Sequence, residues 1–184
     1  MSMCMHKIFA ATAFCILFLG FSNAGNSGSS IVGTVVKPLT ISDSNDKPKE
    51  IPFIGEYVIT VFYTDPDVKD VNEPLSVALK EKNYPATKYK GVGIGNCSDT
   101  WLPNAAIRMG VRKKQEKYPG AVILLDQGKL VSKEWGLGDC DDAGVVIVIG
   151  KDKRIRYVKA VKTEEESKSI IGQVTKVIDQ ELAK

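Results

Sequence analysis

The chain has 184 residues, 25 basic and 22 acidic, for a formal charge of +3, with 43% hydrophobic content. That near-neutral balance gives no reason to expect a nucleic acid or an anionic membrane surface as partner. The sole histidine, His6, lies at the extreme N-terminus.

The first residues read as a targeting segment. Lys7 is the only charge, Ile8 to Phe21 is apolar or small (IFAATAFCILFLGF), and Ser22-Asn23-Ala24 places small residues where a signal peptidase reads. A signal peptide over 1–24 with cleavage before Gly25 is therefore expected. The apolar run is shorter than the roughly 20 residues of a spanning helix, so no stable membrane insertion is expected after cleavage. Removing residues 1–24 from the 184 leaves 160, one domain's worth, and takes Lys7 away, so that +3 becomes +2. It also removes His6, Cys4 and Cys15. A chain without histidine has no Ser-His-Asp triad, no Cys-His dyad and no histidine zinc site. Two cysteines remain, Cys97 and Cys140, and in an oxidising compartment they predict one disulfide.

Residues 25–52 read as an N-terminal tail (GNSGSS) followed by an extended segment (IVGTVVKPLTIS) and a polar turn region (SDSNDKPKE), and 53–184 as the domain proper. Glu56 to Tyr63 is β-branched and aromatic with little alternation, the pattern of a strand covered on both faces. TDPDVKDVNEP breaks it and opens a helix whose inward stripe is Leu75, Ala78 and Leu79. Tyr89 to Gly95 predicts a second strand, and its alternating Gly91, Gly93 and Gly95 imply close packing, because they do not match the phosphate-binding pattern.

Pro103 to about Lys117 predicts a helix with Ile107 and Val111 inward and a solvated basic face of Arg108, Arg112, Lys113 and Lys114. Ala121 to Leu125 is a third strand, and Gln127 to Trp135 a short helix. Gly144 to Ile149 and Ile155 to Val161 are strands joined by the turn GKDKR. Thr163 and Glu166 form a capping box for a helix running to about Leu182, with Ile170, Ile171, Val174, Val177 and Ile178 on its core face. The order β-α-β-α-β-α-β-β-α gives parallel pairing through right-handed crossovers, then a terminal hairpin and a long helix. This is an α/β, thioredoxin-like sandwich with a mixed, mostly parallel central sheet flanked by helices.

PLTISDSNDKPKEIPFIGEYVITVFYTDPDVKD looks like the opening of exported thioredoxin-fold proteins of the ResA and peroxiredoxin kind. KKQEKYPGAVILLDQGKLVSKEWGL followed by GVVIVIGKDKRIRYVKAVKTEEE resembles the YtfJ-like family of exported bacterial thioredoxin-fold proteins, over roughly Gly55 to Leu182. The resemblance implies a fold and a compartment, periplasmic where the cell has an outer membrane, and supplies no reaction. Redox-active relatives carry Cys-x-x-Cys after the first core strand, where the helix end lowers a thiol pKa. That slot falls here on about Asp67-Val68-Lys69-Asp70, and Tyr63 to Asn83 contains no cysteine. The proline expected before the antiparallel strand is replaced by Asp142-Ala143-Gly144. Ordinary thioredoxin chemistry is thereby excluded.

Cys97 follows the second strand and Cys140 precedes the fourth, so both belong to the same edge of the sheet. A Cys97–Cys140 staple would stabilise by about 4 kcal/mol in the chain-entropy model. The alternatives are a reversible redox pair built from non-adjacent loops, with the same two residues as its only catalytic candidates, or no bond. The loops would have to bridge about 10 Å of sheet. Asp139, Asp141 and Asp142 flank Cys140 and would raise its pKa, which argues against it as an attacking thiol.

Asp65, Asp67 and Asp70 are weak candidates for a metal, since their spacing lacks the calcium-loop pattern and helix capping accounts for them. Trp101 and Trp135 are read as packing residues near the same edge. No cofactor is expected. Three function classes follow: a binding or accessory module that docks another envelope protein or a small ligand, an unorthodox thiol–disulfide protein, and a metal-dependent activity at the acidic loop.

Overall fold

A computed structural model describes residues 31–184, so the expected signal peptide lies outside the described residues. A seven-stranded sheet is built from β1 (Thr40–Ser42), β2 (Pro48–Glu50), β3 (Val58–Thr64), β4 (Tyr89–Asn96), β5 (Val122–Asp126), β6 (Gly144–Ile149) and β7 (Ile155–Val161), in the order β2-β1-β5-β4-β3-β6-β7. β3, β4 and β5 pair in parallel, and β6, β7 and β1 join antiparallel. The helices are α1 (Glu73–Glu81), α2 (Asn104–Lys117), α3 (Leu130–Trp135), α4 (Glu164–Ser169) and α5 (Ile171–Leu182). No helix among the described residues is long and apolar enough to cross a membrane. The architecture is the thioredoxin-like α/β sandwich expected from the element order.

Strand period divides the core into two faces. Ile59, Val61 and Tyr63 of β3, Ile94 of β4, Leu124 of β5 and Val145 and Ile147 of β6 form one face with Trp135 of α3. Val58, Val146, Val148 and Val161 form the other with Leu75 and Leu79 of α1 and Val174 and Ile178 of α5. β6 is buried along its whole length, so its unbroken apolar run reflects cover on both sides.

Three expectations change in detail. The segment before residue 53 is part of the domain: β1 and β2 pair as a hairpin at the sheet edge, and Val36, Ile41 and Ile51 enter the core. The basic face of α2 is not wholly solvated, because Arg112 Nε donates to the Ser44 carbonyl at 3.0 Å and Arg108 pairs with Asp46 at 3.8 Å, holding that hairpin's turn. The C-terminal helix is two helices meeting at Ile170. Thr163 Oγ1 accepts from the Glu166 N–H at 3.2 Å, as a capping residue should, while the Glu166 carboxyl accepts from the Lys162 N–H at 2.7 Å.

Gly144 begins β6 against closely packed neighbours. It pairs with Thr64 on one side and Val161 on the other. A Cβ there would lie 2.6 Å from Val71 Cγ1 and would also strike the Asn72 amide. Gly144→Ala is expected to destabilise the fold by about 2 kcal/mol, the cost of overpacking a rigid core. A urea unfolding curve measures it, and an unchanged midpoint would show that Asn72 yields freely.

Candidate functional site at the carboxyl edge of the parallel strands

In open α/β sheets the ends of parallel strands leave backbone groups and side chains free to meet a ligand. Here β4 and β5 end on Asn96 and Asp126, and Asp65 directly follows the last residue of β3, all three buried. The strand ends therefore bury polar groups where the strand middles bury Val, Ile and Leu.

Asp65 caps the 3-10 turn Pro66–Val68, accepting from the Asp67 N–H at 2.9 Å. Its second oxygen accepts from the Asp142 N–H at 3.1 Å, and its own N–H donates to the Ala143 carbonyl at 3.0 Å. One residue thus ties the end of β3 to the start of β6. Burial pushes the Asp65 carboxyl above its ordinary pKa, against those two N–H bonds and with help from Asp67 and Asp141. The Cys-x-x-Cys slot is occupied by this turn and its acidic sequel, and α1 itself starts only at Glu73.

Asp126 is the hub of the β5 end. Its carboxyl accepts from the Tyr63 hydroxyl at 3.2 Å and from the N–H groups of Gly128, Leu130 and Val131 at 3.2, 2.9 and 2.8 Å. Burial, then the Asp126 charge, drives the Tyr63 phenol far above its ordinary range. Asn96 donates to Asp99, which forms an ion pair with Lys129, and the Asn96 Oδ1 has no partner. Burial would raise the Asp99 carboxyl, and Lys129 and the Asn96 amide overcome it and hold Asp99 below its usual value.

Cys97 and Cys140 are both buried and both free. They reach the same edge, as expected, but from opposite faces of the sheet. Cys97 keeps the parity of Gly95, its Sγ lying 3.8 Å from where a Gly95 Cβ would be, and it packs with Ile107 and Leu125 under α2. Cys140 packs in the cluster of Tyr63, Ile94 and Trp135 on the other face. Each thiol instead points at a carbonyl two residues back, Cys97 at Gly95 (3.5 Å) and Cys140 at Gly138 (3.6 Å). The expected Cys97–Cys140 disulfide is thus not formed, and the sheet between the two faces is the physical reason.

Burial pushes the Cys97 thiol up to about 12, with Asp126 adding to it and Arg108 opposing. Burial likewise pushes Cys140 up to about 11, helped by Asp99 and Asp139. Neither thiol has the electropositive, accessible setting of a nucleophile.

The acidic trio expected from the sequence is regrouped. Asp65 meets Asp141 and Asp142, their carboxyl oxygens all within 4.8 Å of one another. Asp67 instead accepts from the Thr100 hydroxyl at 2.8 Å, and Asp70 stays exposed. Asp141 and Asp142 arrive from the far loop, which no local spacing could reveal. Trp135 is core, donating to the Lys37 carbonyl at 3.3 Å. Trp101 is the reverse of a packing residue, 82% exposed.

Solved structures share this fold at low identity. A thiol:disulfide interchange protein DsbE from Chlorobium tepidum, described as putative, superposes with a TM-score of 0.57 at 8% identity, over 80% of this chain and 97% of its own. A disulfide isomerase from Bacteroides thetaiotaomicron, likewise so described, gives 0.59 at 16%, over 83% and 93%. A peroxiredoxin-like protein from Aquifex aeolicus gives 0.54 at 14%, over 80% and 87%. A Haemophilus influenzae protein described as uncharacterized is 26% identical over 98 residues, 53% of this chain and 52% of the relative, so the chain spans about half the length of that relative. Residues 55–180 match the profile of a bacterial family of unknown function, YtfJ_HI0045, and the chain belongs to that family.

Proposed function

We propose that this protein is an exported thioredoxin-fold module that binds another envelope component at the carboxyl edge of its parallel strands, without thiol–disulfide turnover. The observation that carries this reading is the placement of the two thiols, buried on opposite faces and raised to about 12 and about 11. A thioredoxin-type exchange needs a low-pKa attacking thiol with a second one within about 6 Å Cα to Cα. The first-helix slot holds Asp67 and Asp70 in place of that pair. What remains at the edge is recognition chemistry: carboxyl groups, fixed loops and an exposed indole.

Rapid thiol trapping of protein taken directly from its compartment tests this. Both cysteines are expected as thiols in every molecule. A partly oxidised Cys97–Cys140 pool, with a potential in the oxidoreductase range well above about −300 mV, would overturn the reading in favour of redox turnover. A fully formed bond that resists reduction would restore the structural staple and leave the docking role standing.

A further inference from the structure

The loop after β4 combines exposure with fixation. Asp99 is held by Lys129 and the Asn96 amide, and Thr100 donates to Asp67 at 2.8 Å while accepting from the Leu102 N–H at 3.1 Å. Trp101 stands between these anchored neighbours and is nevertheless 82% exposed. A large, rigid, exposed aromatic on a pinned loop loses little entropy on binding and is the residue type that dominates interface hot spots.

Its surroundings are acidic. Asp67 is bonded to the Trp101 loop itself, and Asp139, Asp141 and Asp142 come from the loop before β6. The carboxyl oxygens of Asp141 and Asp142 lie within 4.8 Å of that of Asp65, two residues from Asp67, and Asp139 accepts from the Asp141 N–H at 3.2 Å. These acids therefore share the edge with the Trp101 loop, and Asp99, then Asp139 and Asp141, also raise the Lys129 ammonium. Lys129 is committed to Asp99, Lys133 donates to the Gly128 carbonyl, and Arg108 to Asp46, while Lys69 and Lys162 lie beside Asp67 on the far side of the turn.

Among the described residues, neither of the two main depressions is a deep cleft beneath Trp101. The nearby depression of about 260 Å³ runs along Asp67 to Val71, and the larger one, about 450 Å³, is lined by Lys88, Lys151 and Lys184, groups from the opposite end of the sheet. An enclosed small molecule needs a cleft of some 300 Å³ or more with apolar walls. A flat acidic surface with a projecting indole suits a chain segment instead.

We propose that Trp101 and the surrounding aspartates bind a basic, extended segment of another envelope protein, with a lysine or arginine over the indole face and flanking cations on Asp139 and Asp141. This rests on the docking reading above and names its partner chemistry. An indole face attracts a guanidinium or ammonium group, and the neighbouring carboxyl groups add a steering field that weakens as salt rises.

The test uses the full mature chain and a fluorescein-labelled decapeptide of alternating arginine and serine, followed by anisotropy, with a glutamate–serine decapeptide alongside. Expected are saturable binding of the basic peptide alone, loss of affinity on raising salt, and about tenfold weaker binding on Trp101→Ala. A similar loss is expected for the Asp139→Asn, Asp141→Asn double variant, and a smaller one for Trp101→Phe. Absence of binding, equal binding of both peptides, or an unchanged affinity in Trp101→Ala would each overturn the proposal. Sedimentation of the protein alone provides a further arm. Self-association abolished by Trp101→Ala would mean that the occupant is a second copy, through the basic face of α2, and would also overturn it. Failed peptide binding with inert thiols sinks this inference alone, whereas redox turnover sinks the docking reading whatever the peptide does.

Discussion

Alkylation of the native protein by iodoacetamide at pH 8 should run at least about a hundredfold slower than in strong denaturant, for both Cys97 and Cys140. The thiolate is the reacting species, and an unperturbed cysteine near pKa 8.5 is about one quarter thiolate at that pH. Burial first, and the surrounding aspartates second, push Cys97 up to about 12 and Cys140 up to about 11, so the folded thiolate population is smaller by more than two orders of magnitude. Limited access lowers the rate further, since Cys140 is 2% exposed and Cys97 8%. Between pH 7 and 10 the native rate should climb about tenfold per unit without a plateau. A plateau near pH 7 would reveal a stabilised thiolate at one cysteine and return the protein to the redox class.

The same shifts fix a stability trend. Both folded-state values lie above the unfolded ones, so the unfolded chain releases its thiol protons first as pH rises. The contribution is fully present below about pH 8.5 and is lost as pH climbs toward 11 and 12. Urea midpoints should fall between about pH 8.5 and 10, before tyrosines add to the trend in the same direction. The Cys97→Ser, Cys140→Ser double variant should flatten the curve in that window.

The central sheet was readable in the chain because β3, β5 and β6 are apolar runs bounded by polar turns, β4 alternates glycine with Val92 and Ile94, and α1 and α5 keep helical stripes. β1 falls inside the segment read as extended, but at three residues it carries no period that shows its pairing, and β2 was hidden in a polar turn because it is three residues long and exposed throughout. The division at Ile170 is invisible for a different reason: its backbone stays in the right-handed region, so the stripe runs through the break. At the site, strand ends place Cys97 and Cys140 on one edge from sequence alone. Which face each occupies is another matter. Cys97 inherits the parity of β4, whereas Cys140 follows Gly136 and Gly138, both with positive φ, and no period carries across such a loop. Asp126 had no sequence signal beyond following a strand, and the exposure of Trp101 had none at all.

Asp126→Ala should cost about 3–4 kcal/mol, the largest single-residue effect expected at the edge. The substitution removes an acceptor shared by four donors, the Tyr63 hydroxyl and the N–H groups of Gly128, Leu130 and Val131. Tyr63 is fully buried and Val131 likewise, so at least two of the four cannot turn to water. An orphaned buried donor costs about 1–3 kcal/mol, which sets the size of the loss. Asp126→Asn keeps one acceptor oxygen and should lose roughly half as much, while Tyr63→Phe removes a single donor and should cost about 1 kcal/mol. A loss below about 1 kcal/mol for Asp126→Ala would mean that these groups find other partners. The consequence extends to recognition. The Asp126 bonds fold residues 126–131 into the turn that presents Lys129, which has a left-handed backbone (φ 54) and holds Asp99 on the Trp101 loop. Loosening the hub should therefore speed proteolytic cutting at residues 98–102 before the fold as a whole opens, linking the buried carboxyl to the exposed indole through one ion pair.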